Sequence, residues 1–204
     1  MADPVIRDDL SDRLVHLTRG DPTLVAAGTF LSIVEQRVLR GGDGFIKGGY
    51  RCVCFSEAPI GKLAHLLAAS AQGTRYKPFG VMVDKAWLFS QGGRPVIYQP
   101  ETEFALLHES QRYRHVRYEP PAVDFTWERG WRVCVDELPL DPAAVTLVVL
   151  TRAWERWFQR RYEGANGRRT LLLGGLGGGA PFPWHFVVLE DIGVDIPIDL
   201  EPPE

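Results

Sequence analysis

The amino-acid sequence predicts an α+β fold: a single domain with a mainly antiparallel, split sheet and a central cleft. The 204 residues include 21 glycines and 15 prolines, which divide the chain into many short segments without an internal repeat. Strand-like alternation recurs along the chain, whereas strong helical spacing is confined to a few places. The composition, 45% hydrophobic and 24% charged, is that of a globular protein and excludes a disordered, collagen-like or coiled-coil chain.

Apolar alternation and short apolar runs predict the strands, which in chain order are Leu14–Thr18, Arg51–Glu57, Phe79–Val83, Pro95–Gln99, Phe125–Val135, Val145–Leu150, Thr170–Leu173 and His185–Leu189. The first strand places His16 and Thr18 on one face, because successive side chains alternate across a strand. The strand over Phe125–Val135 is the longest and carries aromatic residues on one face and Glu128 on the other.

Helices are predicted between these strands. Asp21-Pro22 supplies an N-cap and a first-turn proline to a helix over Pro22–Arg40, which Gly41-Gly42 ends. A second helix follows Pro59, and a third covers Ala153–Tyr162.

The domain is predicted to be one unit over residues 1–204. Residues 136–204 are expected to complete the same core, because a segment of that length and glycine content would be marginal alone. Residues 195–204 are acidic and proline-rich, which predicts an extended tail.

Charge and cysteine usage limit the function classes. The formal net charge of −3 means that contact with nucleic acid needs a local basic patch. The three cysteines do not form a disulfide framework, and Cys52 and Cys54 are expected to be small buried residues. The chain shows no signal segment and no apolar run near the ~20 residues of a membrane span. We expect a cytoplasmic protein with no membrane partner.

Several common kinds of site are not supported by the sequence. The glycine-rich segment 174–180 is followed by Pro181-Phe182-Pro183 instead of the helix that a dinucleotide fingerprint needs. No second clustered pair of ligands accompanies Cys52 and Cys54, so no metal is predicted. There is no GxSxG elbow for a nucleophilic serine, and carboxylates are not clustered as a metal-dependent nuclease requires.

Polar residues on strands built for a core suggest a different chemistry. The first strand carries His16 and Thr18, the second Arg51 and, nearby, Ser56, and the long strand carries Glu128. An imidazole, a guanidinium and a carboxylate together suit cleavage of the nicotinamide N-glycosidic bond of NAD⁺. The carboxylate would stabilise positive charge on the ribose, and the guanidinium would hold the pyrophosphate.

Several motifs recur in the order found in a known family. These are the segments Leu14–Thr18, Cys52–Glu57 (CVCFSE), Phe79–Leu88, Pro95–Tyr98 and Trp127–Arg132 (WERGWR). Over residues 10–135 the chain resembles the AbiGi-type abortive phage-resistance proteins. The resemblance implies a role in phage defence, with a cognate defence-system protein as a partner.

A more distant resemblance is to DarT-type ADP-ribosyltransferases, and it implies the same NAD chemistry. By this resemblance Glu128 and Arg51 would be the catalytic residues, and His16 and Thr18 would contact NAD. Three further residues complete the predicted NAD-binding set: Phe55, Ser56 and Tyr98. In this sequence Gly130 replaces the second glutamate of the W-E-x-E pattern.

Two hypotheses follow from these patterns. The first is an ADP-ribosyltransferase-like enzyme that uses NAD as a substrate and modifies a macromolecule, with nucleic acid as the favoured acceptor. A stripe of Arg152, Arg156 and Arg160, at i, i+4 and i+8, would bind that nucleic acid through its phosphates. The second is a non-enzymatic antitoxin or binding module of an abortive-infection system.

Overall fold

The computed structural model describes residues 11–69, 76–172, 181–193 and 201–203. They form an α+β fold with a mixed seven-stranded sheet, which confirms the predicted class. The α-helices are α1 (Thr23–Gln36), α2 (Ile60–Ala69), α3 (Lys85–Ser90), α4 (Glu109–Arg112) and α5 (Arg152–Leu172). The strands are β1 (Arg13–Arg19), β2 (Val38–Arg40), β3 (Val53–Ser56), β4 (Tyr76–Asp84), β5 (Arg94–Pro95), β6 (Ile97–Gln99), β7 (His115–Arg117), β8 (Gly130–Val133), β9 (Glu137–Pro139), β10 (Val145–Val149) and β11 (His185–Val188).

Two compact units divide the chain, and each collects segments from different parts of it. The first unit comprises Met1–His16, Val38–Lys62 and Val83–Pro139, and the second Leu17–Arg37, Leu63–Met82 and Leu140–Glu204. The single domain over residues 1–204 stays a prediction. Of the tail at 195–204, only residues 201–203 are described, and they have no regular secondary structure. Within the described residues, no helix is both long enough and apolar enough to cross a lipid bilayer.

Antiparallel strands form the centre of the first unit, in the order β1-β3-β8-β5. The register pairs Val15 with Ser56 and Phe55 with Trp131. Val53 and Phe55 on β3 and Trp131 on β8 are buried on one face, since residues two apart and residues opposite each other point the same way. Two small sheets, β2-β9 and β6-β7, also lie in this unit.

The second unit packs around an aromatic core. Its strands follow the order β11-β10-β4-β1. Of β1, only the residues from Leu17 onward belong to this unit. Phe30 on α1 contacts Phe158 with ring centroids 4.9 Å apart, and Phe79 on β4 contacts Trp154 at 4.7 Å. All four rings are fully buried, and large buried rings of this kind supply much of the hydrophobic stabilisation of a small core.

One pair of the seven-stranded sheet departs from the predicted antiparallel arrangement, because β10 and β11 in the second unit pair in parallel. The helix α5 lies between these two strands in the chain. Parallel neighbours need a long crossover connection, which a helix of this length supplies. This βαβ arrangement makes the seven-stranded sheet mixed.

The predicted strand over Phe125–Val135 is also wrong in its first half. Thr126–Glu128 forms a 3-10 turn, and only Gly130–Val133 is a strand. Arg129 separates them with a left-handed φ of 47°, which a strand does not allow. Two of the aromatic rings predicted for its apolar face are therefore not buried: Phe125 is 38% exposed and Trp127 47%, whereas Trp131 on β8 is buried.

The predicted helix over Pro22–Arg40 ends at Gln36. Arg37 adopts a left-handed φ of 54° and its N–H donates to Ile33 O, which closes the last turn. Val38–Arg40 then forms β2, which pairs antiparallel with β9. A three-residue strand of this kind is specified by its partner and not by its own alternation.

Two other boundaries differ from the prediction. The helix α5 continues to Leu172, so Thr170–Leu172 is helical and not part of a strand. The predicted strand Pro95–Gln99 is divided between β5 and β6, which belong to different sheets. Leu173 and the glycine-rich segment 174–180 lie outside the described residues.

Candidate functional site

Glu128 is the last residue of the 3-10 turn that leads into β8, in the first unit. Asp124 lies two residues before the turn, and its Oδ1 accepts hydrogen bonds from Thr126 N (2.9 Å) and Thr126 Oγ1 (2.6 Å). The hydrogen bond from the Thr126 hydroxyl is the main reason that the pKa of Asp124 is lowered. Glu128 itself is half-buried. The predicted catalytic glutamate therefore lies on a turn and not on a strand.

Ser56 ties this turn to β3. Its hydroxyl donates to the carbonyl oxygen of Glu128 at 2.6 Å and accepts from Ala58 N at 3.1 Å. Ser56 also pairs with Gly130 in the sheet register, so the strand and the turn are joined on both sides of Arg129. The Ser56 hydroxyl thus fixes the backbone that carries Glu128.

Tyr98 holds the turn from β6. Its hydroxyl donates to Phe125 O at 3.1 Å and accepts from Gly130 N at 3.0 Å. Burial raises the pKa of Tyr98, which keeps this hydroxyl protonated and able to donate. Two of the predicted NAD-binding residues, Ser56 and Tyr98, therefore fix three backbone atoms of the turn around Glu128.

His16 lies on β1, next to β3. Its Nδ1 is 2.8 Å from Cys54 O, and its ring meets Phe55 edge-to-face with centroids 5.7 Å apart. A carbonyl oxygen only accepts, so Nδ1 carries the proton of this hydrogen bond. His16, Phe55, Ser56, Tyr98 and Glu128 all lie in the first unit. The register places His16 opposite Phe55, on the other face of the strands from Ser56.

Arg51 and Thr18 are not brought to this turn by their described contacts. Arg51 precedes β3 and pairs its Nε with Asp136 Oδ1 at 2.8 Å, while a terminal nitrogen donates to Gly41 O at 2.8 Å. Thr18 belongs to the second unit, where its buried hydroxyl donates to Phe79 O at 2.9 Å. Their assignments as catalytic and NAD-binding residues stay predictions.

The predicted nucleic-acid stripe lies on α5, in the second unit. Arg152 forms ion pairs with Glu155 (2.6 Å) and Asp191 (2.5 Å). Arg156 and Arg160 are exposed on the same side of the helix, four residues apart. Two of the three predicted phosphate ligands are thus displayed to solvent, whereas the first is paired with carboxylates.

A buried carboxylate beside the candidate site was missed. Glu57 is 9% exposed; its Oε1 is 2.9 Å from Lys85 Nζ, and its Oε2 accepts from Trp131 Nε1 at 2.8 Å. The signal was available in Val53-x-Phe55-x-Glu57, which places an acid on the buried face of β3. A buried carboxylate needs partners of this kind.

Within the described segments, no group of three or more His, Cys, Asp or Glu side chains is arranged to hold a metal ion. The described contacts bring together at this turn the Glu128 carboxylate, the Ser56 hydroxyl and the Tyr98 phenol. Comparisons with protein-family models, curated proteins and solved structures found no match for the chain.

Proposed function

We propose that the chain is an ADP-ribosyltransferase-like enzyme that cleaves the N-glycosidic bond of NAD⁺. Nicotinamide leaves with the bonding electron pair, and a nucleophile of the acceptor, after loss of its proton, bonds to the ribose C1′. The reaction passes through an oxocarbenium-like state, in which positive charge develops on the sugar. A carboxylate that accepts a hydrogen bond from the ribose hydroxyl stabilises that charge most when it is held rigidly.

The observation that supports this proposal is the fixation of the Glu128 turn. The Ser56 hydroxyl bonds Glu128 O, and the Tyr98 hydroxyl bonds both Phe125 O and Gly130 N. These bonds fix the backbone that carries the Glu128 carboxylate, and a group with a fixed backbone needs less reorganisation when charge develops. His16, on the neighbouring strand β1, stays a predicted NAD-binding residue.

The test is nicotinamide release from NAD⁺ by the purified chain, alone and with DNA, RNA or cell extract. We expect Glu128→Gln to lower the rate by about 10²–10³-fold, because the neutral amide keeps the shape and removes the charge. Glu109→Gln is the matched control: Glu109 is an exposed glutamate of α4 in the same unit. Undiminished release by Glu128→Gln, with the control also active, would contradict the assignment.

The second candidate is a non-enzymatic antitoxin or binding module of an abortive-infection system. It is favoured by the internal partners of the site: His16 Nδ1, Ser56 Oγ and Tyr98 OH are all bonded to backbone groups of the chain. Side chains engaged in this way are typical of structural roles. This candidate predicts no nicotinamide release with any acceptor by a folded chain, and a stable complex with a cognate partner protein.

A further inference from the structure

The three cysteines of the chain lie together on β3 and β8 of the first unit. Val53 pairs with Val133, so Cys52, just before β3, and Cys134, just after β8, are the next opposite pair. Cys54 is two residues from Cys52 and pairs with Arg132. Opposite residues and residues two apart point to the same face, so the three thiols share one side of the strands.

Cys52 and Cys134 form a non-hydrogen-bonded pair, which is the type of antiparallel pair in which opposite side chains lie closest together. The N–H and the C=O of Cys52 both bond to Gly42, each at 3.0 Å. These groups therefore point away from β8, and the pair is not hydrogen-bonded through its backbone. Such pairs have Cα atoms roughly 4.5 Å apart, within the range of about 4.4–6.8 Å that a disulfide spans.

The two thiols differ in access to solvent. Cys52 is 3% exposed, whereas Cys134 is exposed. Burial raises the pKa of Cys52 to about 12, and a hydrogen bond to Cys134 and the negative charge of its thiolate add to this shift. Cys52 therefore keeps its proton and is a poor nucleophile towards dissolved peroxide. A dissolved oxidant reaches Cys134 first.

We propose that Cys52 and Cys134 form a reversible intrachain disulfide, with a peroxide as the oxidant. The Cys134 sulfur attacks one peroxide oxygen, the O–O bond breaks, and a sulfenic acid and one water form. The Cys52 sulfur then attacks the sulfenic sulfur, its proton leaves with the hydroxyl as a second water, and the S–S bond forms. The two thiols lose two electrons, and hydrogen peroxide is reduced to two waters. This modification site does not depend on the proposed NAD chemistry.

The test uses the full folded chain, treated with hydrogen peroxide and then alkylated in denaturant. Trypsin cuts after Arg51, Lys62, Arg132 and Arg152. We expect mass spectrometry to show peptide 52–62 linked to peptide 133–152, with Cys54 alkylated and the link removed by dithiothreitol. Cys54→Ser should leave the link intact, whereas Cys134→Ser should abolish it.

Two results would overturn the proposal. One is a link through Cys54, which fragmentation of the wild-type peptides distinguishes directly, so this outcome does not depend on the folding of a Cys52 variant. The other is oxidation of Cys134 to a sulfinic acid, or to disulfide-linked dimers on non-reducing gels, without the intrachain link. Cys52→Ser should convert the intrachain product into one of these two.

Discussion

At the Glu128 turn, side-chain hydroxyl groups form hydrogen bonds with backbone groups that strand pairing satisfies elsewhere in the first unit. The phenol of Tyr98 both donates and accepts, so one side chain satisfies Phe125 O and Gly130 N. Ser56 satisfies Glu128 O from the other side. Half-buried backbone groups need hydrogen-bond partners, and these two side chains supply them. They therefore help to hold the backbone conformation of the turn. Both were predicted as NAD-binding residues, and their observed contacts give them a positioning role as well.

The buried carboxylate of Glu57, just after β3, accepts hydrogen bonds from two side chains, Lys85 and Trp131. We expect Glu57→Ala to lower the free energy of unfolding by about 3 kcal/mol, since it leaves the Lys85 ammonium and the Trp131 indole without their acceptor. Urea denaturation followed by circular dichroism measures the change. Glu109→Ala, at an exposed glutamate, should stay within about 0.5 kcal/mol of wild type. A loss below about 1 kcal/mol for Glu57→Ala would mean that solvent replaces these contacts.

At the scale of elements, strands with clear alternation were predictable and irregular segments were not. The predicted strands at Leu14–Thr18 and Val145–Leu150 correspond to β1 and β10 within one residue at each end. The segment from Phe125 has the same alternation, but Asp124 bonds Thr126 N and Oγ1, and a turn follows. Local side-chain hydrogen bonds of this kind compete with strand formation, and apolar periodicity does not report them.

The helix α3 depends on a single N-cap. Asp84 Oδ1 accepts from Ala86 N at 2.8 Å and from Trp87 N at 3.3 Å. We expect Asp84→Ala to cost about 1 kcal/mol, because two N–H groups of the first turn lose their acceptor. Asp84→Asn keeps an acceptor oxygen and should lower the free energy of unfolding by only about 0.3 kcal/mol. Thermal unfolding of both variants is the measurement, and equal losses would show that charge and not capping matters at this position.

At the scale of the whole molecule, the sequence could not specify which distant segments meet. Glu57 and Lys85 are 28 residues apart, and Arg51 pairs with Asp136 across the intervening chain. Alternation reports that Glu57 lies on a buried face, but not which cation approaches it. The three cysteines illustrate the same limit: Cys52 and Cys54 are close in sequence, whereas Cys134 becomes a neighbour only through the β3–β8 register.

The charge distribution is the property of the whole chain that bears on the acceptor. The formal net charge is −3, yet Arg156 and Arg160 on α5 are exposed at helical spacing. If these side chains contact phosphates, the double variant Arg156→Glu/Arg160→Glu should weaken binding of a single-stranded oligonucleotide. Because each phosphate contact on a single strand contributes about 0.7 to the slope of log K against log salt, the size of that slope should fall by about 1.4.

The matched control is Arg13→Glu/Lys62→Glu, which changes the net charge equally at two exposed basic residues outside α5. Fluorescence anisotropy over a range of salt concentrations measures both variants, and nicotinamide release from NAD⁺ without acceptor should be unchanged in each. A selective loss in the α5 variant assigns the acceptor to that helix. An equal loss in both variants would show that only the overall charge matters, and the stripe would then have no specific role in binding nucleic acid.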